Sequence, residues 1–174
     1  MKISTIEEYG LRCLIQLAKT GTGTLSISDM AKTEGLSEAY VGKLLFLLKK
    51  KGLVKSLRGM NGGYLLAKSP PEITMADVLD CLAPGPKTDE AICNKFPGDK
   101  KECVHLHGSC GVRTVWHVVY KNLWNILNQT TLEDLLRSEK DLTAKLNKLS
   151  MVSAPTEFVP VTFKTEANVK HVIA

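Results

Sequence analysis

Aromatic residues are scarce: four Phe, four Tyr and two Trp make up 6% of 174 residues. The 44% hydrophobic content therefore rests mainly on Leu, Val, Ile and Ala, a balance that favours helices. No unbroken apolar run approaches the roughly 18 residues that cross a bilayer, which excludes a membrane-spanning helix. The opening MKISTIEEYG has no apolar stretch of the kind an export signal needs, and Glu7 and Glu8 interrupt it, so a cytoplasmic protein is expected. A Gly-rich phosphate loop and a nucleophile motif are both missing, and the reading is of a protein that is not an enzyme. The five cysteines, Cys13, Cys81, Cys93, Cys103 and Cys110, are odd in number, which suits a disulfide framework poorly. Clustered thiols in a reducing compartment more often hold a metal or do redox chemistry.

Charge is present but unevenly spread. Between Ser37 and Met60 stand Lys43, Lys49, Lys50, Lys51, Lys55 and Arg58 against Glu38 alone, so this stretch accounts for the whole formal net charge of +5. Such a concentration points to a polyanionic partner. A solvated helix end would also place lysines there, because cations are favoured near a helix C-terminus.

Apolar spacings of three and four predict an amphipathic helix over 3–20, capped by Ser4 or Thr5, and a short second helix from Ser26 to Lys32. Gly35 breaks that helix and Ser37 opens a third, with Val41, Leu44, Leu45, Leu47 and Leu48 on its buried side and Gly52 at its end. Two helices joined by a short glycine-containing turn form a helix-turn-helix. LVKSL and GYLLAK, separated by RGMNG, read as a β-hairpin wing. Thr74 caps a further helix through Leu82. Residues 83–109 lose apolar periodicity and carry Pro and Gly, a long loop of the kind that is usually functional or disordered. Gly111 to Asn128 is a strong helix with two apolar stripes. One holds Val112, Val115, Val119, Leu123 and Ile126, and the other Trp116, Tyr120, Trp124 and Leu127. A surface this wide suits burial against both its own domain and a second subunit. Thr130 and Glu133 form a capping box for a helix in TLEDLL, and the pattern continues to Ser150.

In a helix-turn-helix the N-terminal residues of the second helix meet base edges, here Ser37, Glu38, Ala39, Tyr40 and Lys43. Ser37 also presents free backbone N–H groups suited to a phosphate. Arg58 lies among glycines and small residues in SLRGMNGGY, where the backbone can approach a duplex and an arginine can enter a narrow minor groove. Asn61 completes the candidate DNA-facing set, and Asn61 with Gly62 also suits a hairpin turn.

GLVKSLRG followed by GGYLLAKSPPEIT closely resembles the wing of the Rrf2 family of bacterial winged-helix regulators, which includes IscR-, NsrR- and RirA-like members. MKIST, YGLRCLIQLA and LSEAYVGKLLFLLKKKGLV resemble the same family, strongly over residues 1–82 and more weakly to about residue 138. The resemblance implies a mainly α fold with a small β-hairpin wing and a long dimerisation helix after the loop. It implies a homodimeric, DNA-binding repressor or activator acting on a palindromic operator of double-stranded DNA. The organisation expected is a winged helix-turn-helix domain over 1–82 and a cysteine-bearing sensor loop over 83–110. The dimerisation helix and following helices would cover 111–150, with an extended or disordered tail over 151–174.

Cys93, Cys103 and Cys110 follow one another with nine and six residues between them, just before the long helix. Soft thiolate ligands select iron–sulfur clusters, zinc or copper(I). Many family members hold an iron–sulfur cluster, of two or four irons, with three cysteines here, usually about five residues apart. In some the fourth ligand is a histidine three residues after the last cysteine, a position held here by Arg113. In others it is an acidic residue in the first helix of the other subunit, and Glu8 matches that position. The metal set expected is thus Cys93, Cys103, Cys110 and Glu8, with His107 and then His105 as rivals for the fourth place. Zinc is the alternative occupant. Cys13 and Cys81 lie on apolar helix faces and read as core residues. The competing reading is a metal-free or zinc-bound regulator, or an interaction protein that docks a metabolic enzyme.

Overall fold

Ser4 is the N-cap that opens helix α1, Thr5–Lys19. Its hydroxyl accepts from the Glu7 N–H at 3.3 Å while the Glu7 carboxylate accepts from the Ser4 N–H at 2.7 Å, a reciprocal cap that satisfies two otherwise unpaired donors. The computed structural model describes residues 3–59, 62–83, 93–105 and 108–152. Side-chain caps recur along the chain, reciprocal again at Thr74. Ser26 caps α2, Ile27–Glu34, and Ser37 caps α3, Glu38–Lys50. Thr74 and Asp77 cap α4, Met75–Leu82. Gly35, in a left-handed conformation at φ 67°, ends α2 and turns the chain into α3.

Cys13, Leu14 and Leu17 of α1, Met30 of α2, and Val41, Leu44, Leu45 and Leu48 of α3 meet in one core with Val78 and Leu82 of α4. Strands β1, Val54–Leu57, and β2, Gly63–Leu66, pair antiparallel with Val54 opposite Leu66 and Leu57 opposite Gly63. The hairpin is pinned to the helices by a bridge between Leu25 and Tyr64, each N–H donating to the other's carbonyl at 2.9 Å. Gly63 permits this contact: a Cβ there would stand 2.7 Å from the Leu25 carbonyl oxygen. The result is a mostly helical winged helix-turn-helix with the hairpin as wing, the fold class expected from the sequence.

Beyond α4, helix α5 spans Gly111–Gln129 and helix α6 spans Glu139–Val152. α5 packs on α4 and α6. The segment between α5 and α6 corrects one expectation. TLEDLL does not open a helix at Thr130. Thr130 closes α5 instead, its hydroxyl donating to the Ile126 carbonyl at 2.9 Å. Thr131 pairs in an extended bridge with Thr74, and only a single 3₁₀ turn, Asp134–Leu136, follows. The bridge wins because it seats Leu132, 1% exposed, in the core formed by α1 to α4. The cap is then formed one residue later, between Thr131 and Asp134. α6 runs two residues into the segment expected to be tail, and residues 153–174 lie outside the described residues.

Asp134 is 2% exposed and accepts hydrogen bonds from the Thr131 N–H and hydroxyl and from Lys145 of α6. Burial by itself would raise its pKa, but the bonds from Lys145 and Thr131 outweigh this and hold the carboxyl below the usual carboxylate range.

Candidate nucleic-acid interface and cysteine loop

The buried residues of α3, Val41, Leu44, Leu45 and Leu48, occupy one side of the helix, so the opposite side faces outward by the 100° step of an α-helix. Ser37 is exposed at the N-terminus, where its hydroxyl accepts from the Tyr40 N–H at 3.3 Å. Lys43 is exposed on the outward side. Tyr40 is half-buried, its ring edge-on to Tyr9 at 6.1 Å between centroids, so much of that side chain serves packing. Arg58 is exposed on the wing just after β1. Gly59 follows with φ 117°, a conformation reserved for glycine, and its carbonyl accepts from the Gly62 N–H at 2.9 Å to tighten the turn. Asn61 lies outside the described residues.

All six cations of the basic stretch are exposed, but they do not all face one way. The Lys49 ammonium donates to the Ser56 hydroxyl at 2.6 Å and ties α3 to β1. Lys51 pairs with Asp80 of α4 at 3.9 Å. Lys43, Lys50, Lys55 and Arg58 are left as the cations of the helix-and-wing surface. The reading from sequence passed over Phe46, which stands 64% exposed on α3. Its place opposite the Leu44–Leu45–Leu48 side was the signal that could have found it.

Cys93 is buried, and Cys103 and Cys110 are partly so. Cys110 is the N-cap of α5, where its sulfur accepts from the Arg113 N–H at 3.5 Å. The Arg113 guanidinium reaches back over the loop. It donates to the His105 carbonyl at 3.0 Å and the Gly108 carbonyl at 2.6 Å, and lies 3.9 Å from the Cys93 sulfur. Arg113 thus links two of the three candidate thiols, a role that sequence reading did not assign to it. Among the described residues no three of the His, Cys, Asp and Glu side chains gather closely enough to hold a metal ion within the one chain. Glu8 is exposed on the first turn of α1, and its carboxylate accepts from Arg12 at 2.8 and 2.9 Å. The His105 side chain is exposed, and His107 lies outside the described residues.

Cys13 and Cys81 are core residues, as expected. Cys13 is fully buried, and burial pushes its thiol up to about 11. The Cys81 thiol donates to the Leu47 carbonyl at 3.3 Å.

The first half of α5 carries Val112, Val115, Trp116 and Val119, all exposed, within an arc of about 100°. The second half is more covered, with Leu123, Trp124, Ile126 and Leu127 partly buried. The apolar surface is thus divided along the helix as well as around it. Among the described residues no helix is long and apolar enough to cross a membrane.

A family model described as Rrf2, iron-dependent transcriptional regulator, matches residues 3–138. The transcriptional regulator CymR of Bacillus subtilis is 38% identical over 78% of this chain and 89% of that protein. Its solved structure, titled the global cysteine regulator of B. subtilis, superposes with a TM-score of 0.62 over 78% of this chain and 95% of that chain, at 36% identity. The transcriptional regulator NsrR of Bacillus licheniformis is 30% identical over 84% of this chain and 100% of that protein. The structure of T. potens IscR matches with a TM-score of 0.61 at 33% identity, covering 78% of this chain and 86% of that one.

Proposed function

Because the chain belongs to the Rrf2 family of transcriptional regulators, we propose that it acts as a homodimer on a palindromic operator. Each α3 would enter a major groove, and Arg58 would meet the flanking minor groove. The observation that carries this reading is the joint exposure of Lys43, Lys50, Lys55 and Arg58 on a helix and wing held together by the Lys49–Ser56 bond. Ser37 and the backbone N–H groups at the start of α3 offer a phosphate contact, and Lys43 a base edge or phosphate. The exposed Val112, Val115, Trp116 and Val119 are the surface by which two α5 helices pair, which fixes the separation of the two reading helices at one helical turn of DNA, roughly 34 Å. Residues 1–82 then read DNA, 83–110 sense, and 111–150 dimerise.

The sensor loop would hold an iron–sulfur cluster through Cys93, Cys103 and Cys110, with Glu8 of a second copy completing the set. The donor type fits: three thiols lie on one loop, with Cys110 at the Arg113 backbone N–H and Cys93 at the guanidinium end of the same residue. Such a group supplies, when bound, an oxidisable, ligand-exchanging centre. Arg113, which replaces the histidine found at this place in some relatives, holds the loop carbonyls against the start of α5. Cys110, as N-cap, connects the loop directly to the dimer helix. A change at the cysteines is thereby transmitted to α5 and to the spacing of the α3 pair. A metal-free thiol regulator is the second reading, favoured by the 3.9 Å approach of Arg113 to Cys93.

Protein isolated without oxygen decides between these. Visible absorption with iron and sulfide, lost in each of Cys93→Ala, Cys103→Ala and Cys110→Ala, is expected. Stoichiometric zinc without colour would replace the cluster by a zinc site. Absence of both metals, with salt-dependent binding to a palindromic duplex retained, would leave the thiol reading. A Glu8→Ala spectrum and air lifetime identical to the parent would remove Glu8 as ligand, and a change confined to His107→Ala would put His107 in its place.

A further inference from the structure

Four residues of α3 share its outward side: Ala39, Lys43, Phe46 and Lys50 fall within an arc of about 60°, centred opposite the buried leucines. Two features of this side are not explained by folding. Phe46 is 64% exposed although the core lies on the far side of the same helix. Gly42, beside Phe46 on the outward half, sits in a helix interior, where glycine is less stable than alanine. Nothing in the packing demands it. Its φ is not positive, and a Cβ there would meet only Ile27 Cδ1, at an ordinary 3.8 Å. An apolar ring flanked by Lys43 and Lys50, next to two residues with almost no side chain, is a shallow surface with few hydrogen-bonding groups and a positive margin.

We propose that Phe46 is a specificity-determining residue, placed to take up the methyl groups of thymines in the major groove as α3 lies close at Ala39 and Gly42. The inference rests on the reading of α3 as the recognition helix and says what that helix reads. The flanking lysines select a polyanion, which makes a duplex the occupant rather than an apolar protein surface. Of the base edges in a major groove, only thymine offers an apolar group, its C5 methyl. Recognition by Phe46 is then by shape and burial, with Lys43 supplying the charged contact.

The test uses the full-length protein and a duplex that it selects from a randomised pool. Replacing thymine by deoxyuridine in the half-sites removes only the methyl groups. The parent protein is expected to lose about fourfold in affinity for each methyl that Phe46 covers. Phe46→Ala should bind the thymine duplex correspondingly less well and should not respond to deoxyuridine. A second selection with Phe46→Ala should no longer recover thymine at those positions. Since Phe46 is exposed, the variant should melt with the parent. If Phe46→Ala responds to deoxyuridine as the parent does, or the parent does not respond, the inference is overturned. Lys43→Ala and Arg58→Ala separate this failure from a larger one. Should both bind the duplex as tightly as the parent, α3 and the wing are not the DNA surface, and the inference falls with that reading.

Discussion

Gly63→Ala tests how the wing is seated. The added Cβ would lie 2.7 Å from the Leu25 carbonyl oxygen, 3.0 Å from its carbon and 3.2 Å from Thr24 Cβ. Two of these three atoms are backbone, so no side chain can swing away, and β2 must retreat by about half an ångström. The retreat strains the paired Leu25–Tyr64 hydrogen bonds, both 2.9 Å, each worth about 1 kcal/mol. Losing both, or absorbing the overlap in the packing, costs about 1–3 kcal/mol, and the two routes are alternatives rather than a sum. In a chain of this size about 2 kcal/mol lowers the melting temperature by roughly 4–8 °C. Because β2 carries the wing, duplex affinity should fall as well, while the helical circular dichroism stays unchanged. Gly108→Ala is the control: among the described residues nothing lies within 4 Å of its added Cβ, and its stability should stay within about 0.5 kcal/mol of the parent. If Gly63→Ala melts with the parent and binds the duplex equally well, the Leu25–Tyr64 bridge does not seat the wing.

Arg58→Ala, which removes an exposed side chain and no core group, should weaken operator binding by about 1–3 kcal/mol in a titration at fixed salt while leaving the melting curve in place. Trp116→Glu puts a charge on the exposed apolar arc of α5 and should shift the protein from dimer to monomer in sedimentation; a dimer that persists in this variant and in Val115→Glu would move the interface elsewhere. Asp134→Asn should destabilise the fold at pH 7 by about 3 kcal/mol, the low end for a broken buried pair because Lys145 keeps partial exposure. Since the Asp134 carboxyl is held low in the folded state, its contribution is full above about pH 4 and is lost as pH falls through the lowered value. Parent and variant should therefore converge in denaturant midpoint at acid pH, and a difference that stays constant down to pH 2 would contradict the assignment.

Local signals made the DNA-reading half legible. Ser4, Ser26, Ser37 and Thr74 each cap the helix their position announces, and the apolar spacing of α3 names its buried side. The sequence also marked Cys13 and Cys81 as core. What it could not show depends on partners distant in the chain. The choice between a cap at Thr130 and a bridge at Thr131 is settled by Thr74, far away in sequence. Arg113 looked like a substituted ligand, and its grip on the His105 and Gly108 carbonyls is a property of loop geometry alone. Tyr40 shows a third kind of limit: a residue at the reading end of α3 whose ring is shared with Tyr9 on α1. The two stripes of α5 were visible as apolar, but which parts are covered follows only from where α4 and α6 lie.

The bridge between Thr74 and Thr131 gives α5 a mechanical character. The Met75 N–H donates to the Thr130 carbonyl and the Leu132 N–H to the Ile73 carbonyl, both at 2.8 Å, so the C-terminal end of α5 is riveted to the base of the DNA-reading module. Its other end, with Cys110 and Arg113, stands about 28 Å away along a rod of 19 residues. A rod fixed at one end converts small rotations at the rivet into large displacements at the tip. A swing of 10° moves the cysteine end by about 5 Å, close to one helical pitch. In the reverse direction the rod gears down: each ångström of loop movement turns the module through only about 2°. In the proposed dimer, the two reading helices would thus be trimmed by a rearrangement of the loop.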